Sequence, residues 1–440
     1  MAVPSALASR WYSDFTTYHW CVLVVCSLGW LFDTMNIRMF ILACGGALAA
    51  LAAPGSDVDA IGRVATTIVI LGWATGGIVF GVLGDKWGRV KTMAAAVFVY
   101  SGFTGLTAFA TSPAEFMVFG FCNGVGMGGQ FSVAVALLAE AIPARSRSVA
   151  LGLLQGLSAV GNIIGSLVGY TLLPDGWRSM FLLGALPMGL VILIISWLEE
   201  PESWRQSVAA TRRDGGPRLG SYRELLLSNA RWRKHALAGG VLAAVGVTGI
   251  WGVSFYSPEL VGHALAGADP ETLTRQTTIM TICQDLGAFV SIIGFPLLSD
   301  RIGRKPAFQV ACWLGLLSIV VVFGCLTDAQ QIVPFGLFLG FGTLALFGGY
   351  AVYFPEIFPS RLRATGIAFC YNVGRYLAAP LNIAPNYLRA PLLRLVPHVP
   401  TYRTGPIALA AVYFIGMLVM ALAPETKGKA LPDDGGRHST

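Results

Sequence analysis

GVLGDKWGRVK at 81–91 returns as PLLSDRIGRKP at 296–306, placing Asp85 opposite Asp300, Gly88 opposite Gly303 and Arg89 opposite Arg304. The offset is 215 residues (300 − 85). EAIPARSR at 140–147 returns as EIFPSRLR at 356–363, an offset of 216 (356 − 140), which matches Glu140 to Glu356 and Arg147 to Arg363. PES at 201–203 then returns as PET at 424–426. Such long-period self-similarity marks a chain built from two like units. The division expected is residues 1–198, a linker at 199–235, and residues 236–440.

Composition says what surrounds those units. Of 440 residues, 55% are hydrophobic and only 12% charged, and the mean hydropathy is +0.66. A soluble domain of this length would carry about twice that share of charge. Twelve apolar stretches match the roughly 30 Å hydrocarbon core of a bilayer. They lie at 20–50, 61–84, 91–111, 114–141, 148–172, 177–198, 236–261, 277–299, 306–327, 331–357, 364–388 and 406–423. Lipid offers the backbone no hydrogen-bond partner, so each is expected to be a helix. The first is too long for a cleaved signal peptide and is expected to remain as helix one. The fold class predicted is an all-α membrane protein, twelve transmembrane helices in two pseudo-symmetric six-helix halves, acting as a monomer in the lipid bilayer.

The net charge of +7 reports topology rather than a nucleic-acid partner. With the N-terminus inside, 22 of the 30 Lys and Arg fall in inner segments and six in outer loops (Arg63, Arg178, Arg275, Arg389, Arg394 and Arg403), leaving Arg38 and Arg375 within spans. That asymmetry places both termini in the cytoplasm. The linker carries eight of the basic residues, and Ser221 with Glu224 has capping-box spacing ahead of a leucine run, which predicts a short surface helix rather than a further domain. All eight cysteines lie in spans without disulfide or zinc spacing, and the five histidines are scattered. No cofactor, metal site or nucleophile elbow is expected, and so no enzyme.

Function then rests on polar residues inside apolar spans. Asp33, Arg38, Asp285 and Arg375 are the charges set deepest, each unfavourable by roughly 2.5–3.5 kcal/mol at a helix centre on insertion scales. Asp33 is the proton-coupling candidate, with Asp285 sharing the role; a standing Asp33–Arg salt bridge is the other reading. Arg375 offers a carboxylate its planar fork, unless it only neutralises Asp33 or Asp285. Arg38 ranks below it, five residues and about 140° around the helix from Asp33. Asn36, Asn123, Gln130, Gln155, Trp251, Tyr256, Gln284, Tyr350, Tyr353, Tyr371 and Asn372 are further candidates for lining the path. Together they suit a flat organic ion with one charged end. Gly124, Gly126 and Gly129 spell a G-x-G-x-x-G inside an apolar helix, where close packing is the expected role rather than a nucleotide site.

The doubled Gly-x-x-x-Asp-x-x-Gly-Arg loop resembles the signature of the major facilitator superfamily, and the resemblance spans essentially the whole chain. PESW at 201–204, PEIFPSRLRATG at 355–366 and PETKGK at 424–429 are similar to its sugar-porter and organic-ion branch. Asp33 and NVGR at 372–375 are most similar to aromatic acid/proton symporters and related metabolite carriers. The resemblance implies alternating access, with Asp85, Arg89, Glu140 and Arg147, and likewise Asp300, Arg304, Glu356 and Arg363, pairing at the inner ends of helices to shut an inner gate. It implies proton-coupled uptake of a small organic anion through a bacterial inner membrane. Three positions depart from the pattern: Asn36 stands where the symporters have a second helix-one carboxylate, Gly120 where an arginine opens the helix-four motif, and Pro296 where the second loop usually begins with glycine. The missing carboxylate supports an alternative, a sugar or polyol facilitator; a membrane sensor of the same fold is a further alternative.

Overall fold

The computed structural model describes residues 11–172, 176–212, 218–254, 256–383 and 401–432, of which 251–254, 377–383 and 401–402 are described by backbone alone. The side chain of Trp251, and Arg389 and Arg394 of the predicted outer loop, therefore lie outside the described residues. Helices dominate, and no strand occurs among the described residues. In chain order they are α1 (Thr17–Leu51), α2 (Val58–Lys86), α3 (Arg89–Thr107), α4 (Pro113–Ala141), α5 (Arg147–Leu172), α6 (Trp177–Leu183), α7 (Leu190–Trp197) and α8 (Glu202–Thr211). There follow α9 (Ala230–Ser254), α10 (Ser257–Ala264), α11 (Pro270–Ile302), α12 (Arg304–Cys325), α13 (Ile332–Ile357), α14 (Ser360–Ile383), α15 (Thr401–Ala410) and α16 (Val412–Leu422). Nine helical stretches among the described residues are long and apolar enough to cross a membrane. The remaining predicted spans are occupied by α3, α9 and the described part of α14.

Local chemistry explains the boundaries. Asp57, Ser112 and Asp269 each cap a helix by accepting from the backbone N–H three residues on, and Pro113 and Pro270 follow at the first helical position. The sixth predicted span is not one helix: α6 stops at Gly184, a 3₁₀ turn at Leu186–Gly189 contains Pro187, and α7 resumes at Leu190. Proline at 187 has no N–H to give and restricts the residue before it. The seventh predicted span likewise ends at Ser254, with α10 starting separately before Pro258. The surface helix expected to start near Ser221 is only a five-residue π-turn at Glu224–Ser228, whereas α8 is the linker's regular helix. Ser221 does accept from the Glu224 N–H, but α9 already begins at Ala230, leaving no room for a longer turn.

Side-chain exposure is inverted relative to a soluble protein. Phe98, Val290, Ile192, Ile195 and Leu418 are all more than half exposed, while Asp33, Asp85 and Arg89 are fully buried. An outer surface of large apolar side chains belongs against lipid. Inside, small residues set the helix spacing. A Cβ on Gly128 would collide with the Trp73 carbonyl of α2, and Gly124, Gly126 and Gly129 are equally closed against Val69, Tyr100 and Phe80. The G-x-G-x-x-G is therefore a packing face. Two seams join the repeats: α2 runs along α14, where Gly77 has room for Asn372 only because it lacks a Cβ, and α5 runs along α11, where Gly152 meets Pro296.

Tyr18, at the start of α1, donates to the Glu199 carbonyl beyond α7, while α1 ends 35 residues after it begins, at the loop holding Ser56. At 1.5 Å per residue those ends are about 50 Å apart. Ser207 is buried on α8, but its neighbour Gln206 is exposed, as is Ser56. In a background without native cysteines, cysteines at 206 and 56 should label from opposite faces of the membrane, with 206 reached only from the cytoplasm. Labelling of both by an impermeant reagent added outside intact cells would refute that arrangement.

Candidate functional site

The repeated loops build a buried ionic cluster. Arg89 donates to Asp85 at 2.6 Å and to Glu140 at 3.0 and 3.3 Å, all three side chains being fully buried. Gly88, at φ 116°, adopts the left-handed backbone that turns the chain from α2 into α3. The cluster also crosses to the second repeat. Arg89 donates to the Ser360 carbonyl at 2.6 Å, Arg363 to Glu140 at 2.5 Å, and Asp85 accepts from the N–H groups of Ala364 (3.1 Å) and Thr365 (2.9 Å). A carboxylate thus sits where the N-terminal end of α14 presents its amides. The counterpart is lighter: Arg304 pairs with Asp300 (2.6 Å) and Glu356 (2.8 Å), and its Nη2 reaches Ser148 Oγ on α5 at 3.0 Å.

These pairings differ from those expected in one respect. Glu140 pairs with Arg89 and with Arg363 of the other repeat, while Arg147 donates to the Ala139 carbonyl at 2.7 Å. The carbonyls left free at the end of α4 lie nearer to Arg147 than the carboxylate does, and Arg363 arrives across the seam. The linker covers the cluster. Trp204 donates to the Asp85 carbonyl (2.8 Å), Tyr222 to Ile78 (3.0 Å), Gly220 to Arg361 (3.0 Å), and Glu224 pairs with Arg361.

Sequence matching pairs Glu202 with Glu425, but the structure gives Glu425's task to Glu200. Glu200 accepts from the N–H of Arg89 (2.6 Å) and Val90 (3.0 Å) at the start of α3; Glu425 accepts from Arg304 and Lys305 (3.0 Å each) at the start of α12. Each lies two residues past the C-cap of the preceding helix, Leu198 and Ala423. Position relative to a helix end, not the PES/PET match, decides the role. Burial pushes the Glu200 carboxyl above the usual carboxylate range, against the pull of the Arg89, Lys91 and Val90 amides. Burial acts the same way on Glu425, but there the amides of Lys427, Lys305, Arg304 and Thr426 prevail and hold the carboxyl low.

About 22 Å along α14 from Ser360, taking 1.5 Å per residue, lies Arg375. It is buried, its guanidinium 3.9 Å from the ring centre of Trp73 and 4.8 Å from that of Tyr371, and it donates to Asn372 Oδ1 at 2.5 Å. Trp30, Phe131 and Tyr371 continue as a run of mutually tilted rings with 4.3 Å between successive ring centres, and Phe347 adds an edge at 5.8 Å from Tyr371. This cluster of aromatic rings draws on α1, α2, α4, α13 and α14. Asp33 is buried among those helices and neither carboxylate oxygen has a hydrogen-bond or ion-pair partner among the described residues. The same is true of both polar atoms of Gln130, of Gln155 Oε1, and of the indole N–H of Trp30 and Trp73. Asp33 therefore has no standing salt bridge with Arg375 or any other described cation.

Most of the other candidates separate from that cluster. Arg38 is paired with Asp285 at 2.8 Å. Asn36 donates to the Gly184 carbonyl at 3.3 Å and Asn123 to Thr104, both inside the first repeat. Gln284 donates to Ser257 (3.2 Å), Tyr353 to the Pro424 carbonyl (2.9 Å), and Tyr256 packs near Gly405. Tyr350 donates to the Leu242 carbonyl (2.6 Å) but also borders the aromatic rings, 5.1 Å from the ring centre of Phe347 and 6.2 Å from that of Tyr371. Their tasks are to hold helix ends and crossings. Trp30, Trp73 and Phe131 were not among the sequence candidates; Trp30 had a readable signal, one turn before Asp33 on the same helical face, while the other two are indistinguishable in sequence from ordinary core aromatics. No cluster that could hold a metal ion occurs among the described residues.

Paired ionic loops at one end and buried polar groups among aromatic rings farther along the helices are features of a membrane carrier. Residues 39–382 match the Major Facilitator Superfamily, and the chain belongs to it. It is a multi-pass membrane transporter, not an enzyme. A Haemophilus influenzae protein described as a metabolite transport protein is 32% identical, with 94% of this chain and 98% of that one covered. The niacin transporter NiaP of Acinetobacter baylyi is 27% identical (95% and 97% covered), and the cis,cis-muconate transport protein of the same organism 28% (81% and 83%). Among solved structures, the proton:xylose symporter XylE of E. coli superposes with a TM-score of 0.73 at 19% identity, covering 94% of this chain and 98% of that one.

Two predictions concern the ionic end. Glu140→Gln leaves buried Arg89 and Arg363 without their shared counter-charge and should lower stability by about 3–5 kcal/mol, read by thermal unfolding in detergent; a loss under 1 kcal/mol would contradict the cluster's role. For the caps the sign is set by protonation. Glu425, held low, stabilises as the anion above its usual pKa, and that contribution is lost as pH falls through the lowered value. Glu200, held high, is favoured in the neutral form. At pH 7, Glu425→Gln should therefore lower Tm more than Glu200→Gln, with the gap narrowing as pH drops toward 4; the reverse order would refute it.

Proposed function

We propose that the protein is a secondary active transporter that takes up a small, flat organic monocarboxylate together with a proton, across a bacterial inner membrane and with both termini in the cytoplasm. The observation that carries this reading is Arg375, buried on the faces of Trp73 and Tyr371 beside an Asp33 that has no hydrogen-bond partner among the described residues. A guanidinium braced by aromatic rings presents its remaining N–H donors in a plane, matched to a carboxylate. The rings of Trp30, Phe131 and Phe347 supply faces and edges for an aromatic or conjugated body. Niacin and cis,cis-muconate, carried by two relatives, are likewise small flat carboxylates.

Coupling follows from charge balance. An isolated ion cannot be closed into a dry core cheaply, so Asp33 must meet a proton or a cation whenever the chamber closes. A substrate carboxylate on Arg375 occupies the cation nearest Asp33 among the described residues, leaving the proton as the partner for Asp33. Binding of anion and proton is then mutually favourable. The ionic end, closed by Arg89, Glu140, Arg363 and the linker, is the inner gate in this reading, and the two repeats rock about the chamber.

Uptake of benzoate into proteoliposomes, with and without an inward proton gradient, tests it. Accumulation should require the gradient. Asp33→Asn should abolish accumulation while retaining substrate exchange, since exchange need not cycle the proton. Arg375→Lys should weaken benzoate binding by about 1.5–3 kcal/mol, the worth of a charged hydrogen bond, and Arg375→Ala by more. Gradient-driven accumulation at wild-type levels by Asp33→Asn, or unchanged affinity in folded Arg375→Ala, would refute the roles assigned. Uptake of xylose or a polyol indifferent to the gradient would select the facilitator.

A further inference from the structure

The pairing of Arg38 with Asp285 has a third member that sequence did not mark. Asn162 of α5 donates from Nδ2 to Asp285 Oδ1 at 3.2 Å, while Arg38 Nη2 donates to Oδ2 at 2.8 Å. Both donors belong to the first repeat and the carboxylate to the second. They converge because α1 lies close on α5: a Cβ on Gly165 would come within 2.9 Å of Arg38 Cβ, and Gly161 abuts the Leu31 carbonyl. Asp285 is 15 residues from Asp300 of the ionic end, as Arg375 is from Ser360, so each lies about 22 Å from it along its helix. The triad and the aromatic cluster are at one depth.

We propose that Arg38 and Asn162 form a second carboxylate-binding cradle, which Asp285 occupies when the α5–α11 seam is closed. The inference rests on the carrier reading, because it requires that the seam open during transport. As α11 moves away, Asp285 leaves with it, and a guanidinium and an amide, preset by α1 and α5, face the path. An entering organic carboxylate makes the two hydrogen bonds that Asp285 made. On closure Asp285 reclaims them and the substrate passes to Arg375. The side chain of Arg38 retains 21% of its exposure against 9% for Asp285, so the donor is the more accessible partner. Among the described residues Asp285 cancels Arg38, so that once Asp33 has taken its proton Arg375 is left to balance one carboxylate in the closed chamber.

Equilibrium binding of radiolabelled benzoate to purified full-length protein tests this, with uncharged benzamide as control. Wild type should bind one equivalent, D285N a second, and R38Q/D285N only one again, with no corresponding gain in benzamide binding. No gain in D285N, or a gain that survives in R38Q/D285N, would overturn the cradle. Should D285N not be recovered folded, R38Q answers through transport: its KM for benzoate uptake should rise at least fivefold with saturated exchange retained, and an unchanged KM would overturn the proposal. Benzoate bound by D285N but not by wild type would refute the central Arg375 site while supporting the cradle.

Discussion

A charge withdrawn from water into a helical bundle has to find its partner inside the bundle, and where the partners sit decides how this molecule can move. Around Arg89 the requirement is met in full. Asp85 and Glu140 neutralise it from the first repeat, and Arg363, Ser360 and the amides of α14 complete the cluster from the second. Because several of those contacts cross between repeats, the cluster can hold only while the repeats stay together at that end. The linker adds to this, since Trp204, Tyr222 and Glu224 each bond to elements of the same cluster.

At mid-depth the requirement is met differently. Arg375 is supported by ring faces and one amide oxygen, and Asp33 by nothing among the described residues. A saturated ionic cluster stabilises one conformation; an unsaturated pair of opposite charges invites ligands that complete it. Along α14 the contrast is between a start closed by protein groups and an Arg375 turned to ring faces and a single amide oxygen.

Glycine links the two regions. The α2–α14 and α5–α11 seams lie flat because Gly77 and Gly152 carry no side chain where Asn372 and Pro296 approach. Smooth seams permit two rigid units to rotate on one another, whereas interlocked branched side chains would resist it.

The helical membrane class, the sequence repeat, the buried charges and most members of the ionic loops were legible in the sequence, because length against bilayer thickness, hydropathy and offset are properties of the chain itself; the breaks in the sixth and seventh predicted spans and the withdrawal of Arg147 from the carboxylates were not. Asp33 and Arg375 stood out for the same reason, as charges where charge is unfavourable. Partner choice was not legible. Arg38 takes Asp285, Glu140 takes Arg363 rather than Arg147, Glu200 rather than Glu202 caps α3, and Asn36 turns to Gly184. Each of these depends on how two helices distant in sequence are rotated and displaced against each other, and a shift of one residue, about 100° around a helix, changes which side chain arrives. Only the tertiary structure sets those rotations, so it alone could distinguish the aromatic cluster's Trp30, Trp73 and Phe131 from the many aromatics that simply fill space.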